Sequence, residues 1–275
     1  MATLICLANS WKHGERCIAG IDIYTGQWVR PVCDRLPDGQ VPADIRLIDG
    51  DEPALLDILS IPLAYKVDRD RMARENYWIR DGQWQRIDRA QPARVMTFCS
   101  CRPQILHTER KYVSEPWLRS QPLQNRRTLE LIRTQSFQVT GDVRSTGTRW
   151  KGSFTTALGQ TIYQVPITDP AFVAQLDQGH RPSAQCLITM SLGLPHRPPS
   201  WEGDDPCWKL IAGVIELSVS DLILIEMQRV GWTIAQGRDW LDQKYHKRSR
   251  QQLSAREQTE FLKYLKALQP GPLTA

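Results

Sequence analysis

The chain has 275 residues, of which 41% are hydrophobic and 24% are charged. This length and composition are typical of a folded protein with about two domains, and they exclude a disordered chain or a small disulfide-stapled one. The 35 Lys and Arg residues outnumber the 30 Asp and Glu residues only slightly, so the net charge of +5 does not by itself indicate a nucleic-acid ligand.

The positive charge is concentrated in two segments. Residues 102–151 contain ten basic and four acidic residues, and residues 226–275 contain nine and five. The rest of the chain has sixteen basic and twenty-one acidic residues and is therefore slightly acidic. Basic helix faces and loops are often merely solvated, but two such segments in one chain favour a polyanionic partner.

The apolar runs are too short for a membrane segment, since runs such as residues 222–225 are far below the ~18 residues that a span requires. The apolar N-terminus lacks a basic leader, so we interpret it as a first strand rather than a signal peptide. These features predict no membrane partner and a cytoplasmic location.

The seven cysteines are odd in number and lie in apolar surroundings, which predicts reduced core thiols rather than a disulfide framework. Cys99, Cys101 and His107 lie close together along the chain, but a zinc site normally shows paired Cys-x2-4-Cys elements and a matching second pair. In an extended strand Cys99 and Cys101 would share one face as small core residues. We therefore expect no metal and no cofactor.

The first hundred residues have the pattern of short strands broken by turns. Apolar strand-length segments lie at 4–8, 17–23, 28–29 and 55–61, with further candidates at 77–79 and 95–99. Residues 24–26 form a hairpin-type turn signal, and no long amphipathic helix occurs before residue 110. The pattern is compatible with an OB-type Greek-key barrel, an SH3-like barrel or a PUA-like domain.

A second β region follows a predicted helix or linker at residues 120–133. Its strand-like segments lie at 137–140, 150–156, 161–167, 185–191 and 208–217, and a proline-rich loop occupies 193–206. The number and length of these segments predict a second barrel of similar size.

The last fifty residues change to a helical pattern. Thr233 with Gln236, and Ser254 with Glu257, match the capping box that begins a helix. With an earlier helix near 221–229, they predict a three-helix unit. The sequence therefore predicts a mainly β chain in three parts: a first barrel at 1–110, a linker helix and second barrel at 111–217, and a small all-α unit at 218–275.

Several strings resemble the bacterial dual OB domain family over residues 1–216. The opening strings are NSWKHG at 9–14, RCIAGID at 16–22 and GQWVRPV at 26–32, and the closing ones are CLITMSLG at 186–193 and CWKLIAGVI at 207–215. The resemblance implies two tandem OB-like barrels and a nucleic-acid-binding role, with no catalytic residues to transfer. The string KRSRQ at 247–251 is similar to small helical tails of bacterial DNA-processing proteins.

OB barrels bind single strands by stacking bases on aromatic rings while Lys and Arg neutralise the backbone. Rings and cations lie near each other along the chain in both barrels. Four further cations lie in one seven-residue stretch of the helical unit, residues 244–250. The candidate binding residues are Trp11, Lys12, Arg16, Trp28 and Arg30 in the first barrel, Arg144, Arg149, Trp150 and Lys151 in the second, and Lys244, Lys247, Arg248 and Arg250 in the helical unit. Tryptophans are usually buried, so a core role for Trp28 is the competing interpretation.

No nucleophile elbow, zinc-protease motif or phosphate-binding glycine loop is present, so we expect a non-enzymatic protein. The first hypothesis is a nucleic-acid-binding protein, with single-stranded DNA or RNA as its partner. One alternative is a protein-interaction adaptor that recruits a partner through residues 226–275. Another is a PUA-like sensor of a modified base or nucleotide, which would need an aromatic cage around Trp11 or Trp28.

Overall fold

Strands are the main regular structure of residues 2–216, and helices occupy most of residues 219–267, in the computed structural model, which describes residues 1–66 and 73–271. The chain forms two compact units. The first comprises Met1–Ala90 and Phe98–Glu216, and the second comprises Gln91–Thr97 and Leu217–Ala275. The predicted division into a mainly β part and a helical C-terminal part is confirmed.

The first sheet closes into a barrel. Its elements are β1 (Ala2–Lys12), β2 (Glu15–Asp22), β3 (Trp28–Val32), α1 (Ala43–Arg46), β4 (Asp57–Ile61), β5 (Leu63–Lys66), β6 (Asn76–Ile79) and β7 (Gln85–Arg89). Strands β1, β2 and β3 form an antiparallel meander, and β3 pairs in parallel with β6. Because β4 pairs with β1, β5 pairs with β6, and only Pro62 separates β4 from β5, the sheet returns to its starting strand.

The second sheet repeats this order. Its elements are β8 (Tyr112–Ser114), α3 (Glu115–Ser120), β9 (Leu129–Arg144), β10 (Gly147–Thr156), β11 (Thr161–Pro166), α4 (Pro170–Asp177), β12 (Cys186–Pro195) and β13 (Pro206–Glu216). Strands β9, β10 and β11 form the meander, and β12 connects β9 to β13. A parallel bridge between Ile167, which follows β11, and Ile211 of β13 closes the barrel. Two Greek-key barrels of the OB type therefore follow one another, as predicted.

Small residues allow the two barrels to approach closely. The register of β1 shifts between Cys6 and Ala8, and the bulged Leu7 carbonyl accepts a hydrogen bond from Thr189 Oγ1 of β12 at 2.6 Å. A Cβ atom at Gly213 of β13 would lie only 2.4 Å from that carbonyl oxygen. Glycine at this position therefore permits the contact that fixes one barrel against the other.

The second unit is helical. Its helices are α2 (Pro92–Val95), α5 (Val219–Arg229), α6 (Ile234–Tyr245) and α7 (Ala255–Ala267). The predicted capping boxes at Thr233 and Ser254 are present at the first residues before α6 and α7. Trp240 of α6 stacks on Phe261 and Tyr264 of α7, with ring centroids 4.5 and 4.8 Å away.

The structure corrects two local predictions and decides between the alternatives of a third. The predicted strand at 95–99 is instead the helix α2 followed by a 3-10 turn at Met96–Phe98, because Pro92 occupies the first helical turn, where proline is favoured. Of the predicted helix or linker at 120–133, the linker alternative holds: α3 ends at Ser120, before Pro122, a 3-10 turn occupies Leu123–Asn125, and β9 begins at Leu129. Cys101 is exposed rather than in the core; all seven cysteines are free thiols.

Candidate nucleic-acid interface

The hairpin between β1 and β2 presents a ring and a cation together. Trp11 and Arg16 are direct partners across the hairpin, whose turn uses His13 and Gly14 at positive φ. The Arg16 guanidinium carbon lies 4.8 Å from the centroid of the Trp11 ring, a cation–π distance. Trp11 nevertheless remains 53% exposed, so much of its ring surface is open to a ligand.

Trp11 lies at a cavity of about 510 Å³ between the two barrels. Lys12 and Arg30 line it from the first barrel, and the end of β12, from Ser191 to Pro195, lines it from the second. The Trp11 amide donates to the Thr168 carbonyl at 2.7 Å, which fixes the hairpin against the second barrel. The cavity is therefore built by both barrels.

The positive charge of the β1–β2 hairpin is partly compensated. Lys12 Nζ donates to the Asp38 carbonyl at 3.2 Å and lies 3.9 Å from the Asp38 carboxylate. Arg16 Nε lies 3.6 Å from the Glu52 carboxylate. The Trp11 ring is thus the most accessible of the predicted groups in this hairpin.

Arg30 joins the barrels instead of facing outward with Trp28. Its guanidinium donates to Asn76 Oδ1 at 3.2 Å and to Thr128 Oγ1 at 3.1 Å, and it lies 3.6 Å from the Glu75 carboxylate. Its side chain is only 16% exposed. Trp28 is half-buried against the small residues of the barrel junction and lines a second cavity.

The corresponding hairpin of the second barrel, between β9 and β10, carries three cations around one carboxylate. Arg144 donates to Asp142 at 2.7 and 3.1 Å, Lys151 lies 4.0 Å from it, and Arg149 is its partner across the strands. The hydrogen bond from Arg144 is the main reason that the pKa of Asp142 is lowered. One carboxylate among three cations leaves this surface positive.

Trp150 lies on the opposite face of β10 from those cations. Its ring packs against Gly141 and the core of the second barrel, and its Nε1 donates to Asp177 of α4 at 2.7 Å. The ring-and-cation group expected around Trp150 is therefore not formed. An exposed ring of this barrel is instead Tyr163 of β11, which is 64% exposed and was not among the predicted binding residues. Alternation of side chains along β11 buries Ile162 and exposes Tyr163.

Residues 2–214 match the family described as the dual OB-containing domain. The chain belongs to this family. A 48-residue stretch is also 54% identical to an uncharacterized protein of Synechocystis sp.. That match covers 18% of this chain and 16% of the relative, so the chain spans only a small part of the curated relative. No solved structure matches.

The cations of the helical unit lie outside the matched dual OB residues. Lys247 bonds to the Glu257 carboxylate at 2.6 and 2.9 Å, which is the main reason that the pKa of Glu257 falls to about 2. Arg250 Nε donates to Ser220 Oγ at 2.7 Å. Lys244 is exposed, and Arg248 is 81% exposed with its Nε 3.8 Å from Asp242. Three of the four predicted cations thus have partners within the unit, although that of Arg248 is a long and exposed ion pair.

Two further features concern ligands and membranes. Within residues 1–66 and 73–271, no group of three or more His, Cys, Asp or Glu side chains is arranged to hold a metal ion. The helices in the same part of the chain are also too short or too polar to cross a bilayer.

Proposed function

We propose that this dual OB protein binds single-stranded nucleic acid without a chemical step. The observation that carries the proposal is the half-exposed Trp11 ring, held by Arg16 at a cavity that both barrels line. A base stacks on any aromatic face, so such a ring accepts a strand with little sequence preference.

The location of these groups in the fold supports the proposal. OB barrels bind oligonucleotides with the face of their second and third strands and with the loop between the first and second. Trp11 and Arg16 flank that loop in the first barrel, and Arg144, Arg149 and Lys151 flank it in the second. The first barrel would therefore supply stacking and the second would supply backbone neutralisation.

Binding of a labelled thymidine strand, followed by fluorescence anisotropy, tests the proposal. A strand of about 30 nucleotides exceeds the roughly 4–16 nucleotides that one OB fold covers. A 5′-hydroxyl strand is used so that only the backbone and bases contribute. We expect binding at 50 mM salt, and we expect the logarithm of the binding constant to fall linearly with the logarithm of the salt concentration. Absence of binding at 50 mM salt would contradict the proposal.

A second candidate function, recruitment of a protein partner, is favoured by a groove in the helical unit. This groove has a volume of about 180 Å³ and an apolar lining that includes Leu224, Met227 and Leu241, while Arg238 and Arg248 also line it. An acidic peptide with one large apolar side chain matches this combination. Arg238→Glu should weaken binding of a labelled peptide of that kind at least tenfold, while strand binding stays unchanged; equal peptide affinity would contradict recruitment at this groove.

A further inference from the structure

A second cavity between the barrels contains an unbalanced cluster of arginines. Its volume is about 280 Å³, and Trp28, Arg74, Arg102 and Arg127 are among its lining residues. It shares Thr128 with the larger cavity but includes neither Trp11 nor Lys12. The proposed strand-binding surface therefore does not account for it.

Arg127 is the least compensated of the three arginines. Its Nε is buried and lacks a hydrogen-bond partner in the described part of the chain. Burial lowers the pKa of Arg127, and the positive charges of Arg102 and Arg74 lower it further, while Glu130 opposes the shift. Three mutually repelling guanidinium groups around one cavity favour the binding of an anion there.

The two carboxylates of the cavity are already engaged. Glu130 accepts hydrogen bonds from Ser100 Oγ and from the Leu106 amide. Glu75 accepts a hydrogen bond from Thr128 Oγ1 and faces Arg30. Among the described residues, no carboxylate oxygen lies within the 4.0 Å of the Arg127 guanidinium that defines an ion pair. Arg102 is exposed, and no ion pair engages it there either.

We propose that this cavity binds a nucleotide through its phosphate monoester, with Arg102 and Arg127 on the phosphate and the Trp28 ring against the base. Guanidinium groups bind phosphate oxygens through paired, charge-assisted hydrogen bonds. The cavity volume of about 280 Å³ lies just below the roughly 300–1,000 Å³ of ligand pockets, so the ligand should be no larger than a single nucleotide. The same chemistry could come from a free nucleotide or from the 5′ end of a strand.

Calorimetric titration of the full chain with adenosine 5′-monophosphate and with adenosine tests the phosphate contact. We expect the monophosphate to bind at least tenfold more tightly. Arg102→Gln and Arg127→Gln should each remove most of that difference, whereas Arg181→Gln, which changes an exposed arginine outside the cavity, should leave it intact. Because Arg102 is exposed, its variant should fold even if the Arg127 variant does not. Equal affinity for both ligands, or no binding of the monophosphate, would overturn the proposal.

Strands with a 5′-phosphate or a 5′-hydroxyl then identify the source. Tighter binding of the phosphorylated strand, abolished by Arg102→Gln, would support a strand end. Equal strand affinities together with tight monophosphate binding would support a free nucleotide. The 5′-hydroxyl strand reports on the proposed function alone, so either proposal can fail while the other stands.

Discussion

In the proposed binding mode, stacking comes from Trp11 of the first barrel and most backbone neutralisation from the cations beside Asp142 in the second, so two variants should separate them. Trp11→Ala removes the exposed ring at the cavity, and the loss of one stacked base costs about 1–3 kcal/mol. That cost corresponds to a dissociation constant raised about 5- to 150-fold. The ring carries no charge, so the dependence of affinity on salt should not change. Trp117→Ala, at a tryptophan that is 42% exposed and does not line the cavity, is the matched control.

The double variant Arg149→Gln and Lys151→Gln should, unlike Trp11→Ala, change the dependence of affinity on salt concentration. For single strands the slope of log affinity against log salt changes by about 0.7 for each phosphate contact, so two lost contacts flatten it by about 1.4. Asp142→Asn removes the one carboxylate among these cations and should tighten binding. All three substituted side chains reach the surface, where changes in stability are usually within about 0.5 kcal/mol.

Anisotropy titrations with the 5′-hydroxyl strand at several salt concentrations give both quantities. An unchanged slope in the double variant would refute the assignment of the backbone to the second barrel. An unchanged affinity in Trp11→Ala, with Trp117→Ala equal to wild type, would refute stacking at the cavity. A change in slope for Trp11→Ala would show that the two contributions are not separable by barrel.

Three further predictions concern stability. Gly213→Ala should lower the free energy of unfolding by about 1–3 kcal/mol in urea denaturation because its Cβ meets the Leu7 carbonyl, whereas Gly193→Ala, whose nearest neighbours lie at 3.5 Å, should have little effect. Burial lowers the pKa of His107 to about 4, so the contribution of the neutral imidazole to stability is present above pH 6.5 and is lost as the pH falls towards 4. In His107→Gln the urea midpoint should therefore depend less on pH in this range, and a midpoint with wild-type pH dependence would contradict this. Ser254→Ala should cost about 1 kcal/mol when helical circular dichroism follows unfolding, and an unchanged midpoint would mean that the capping box contributes nothing.

The elements that the sequence predicted correctly are those set by local chemistry. The capping boxes at Thr233 and Ser254 specify hydrogen bonds within four residues, and the hairpin turn at Gly26 requires a positive φ that glycine adopts easily. The strand predicted at 95–99 was wrong because the local sequence signal there is ambiguous. A strand and a buried helical turn have the same hydrophobicity at this length, and only Pro92 marked the helix.

The start of helix α4 was predictable from the sequence, because a capping residue precedes a proline there. Asp169 accepts hydrogen bonds from the Ala171 and Phe172 amides, and Pro170 occupies the first turn, which together form a regular helix start. Asp169 also accepts from the Val214 amide of β13 at 3.1 Å. Burial raises the pKa of this carboxyl, so the same side chain begins the helix and holds it to the barrel at an electrostatic cost.

The candidate site depended on strand register, which residue proximity along the chain does not give. Adjacent residues of a strand face opposite ways, so Trp150 could not share a face with Arg149 and Lys151 once β10 was a strand. A two-residue turn through His13 and Gly14, by contrast, makes Trp11 and Arg16 direct partners, although four residues separate them.

A basic segment of the sequence, like proximity along the chain, does not show which side chains share a surface. The basic segment at 102–151 does not form one surface, because Arg144 and Lys151 face Asp142 on a hairpin while Arg127 lines a cavity at the barrel junction. Arg74, which lies outside that segment, joins Arg127 there through the closing of the first barrel. The fold thus divides one basic block between an exposed hairpin, on which the strand-binding proposal depends, and a cavity at the barrel junction, on which the nucleotide proposal depends.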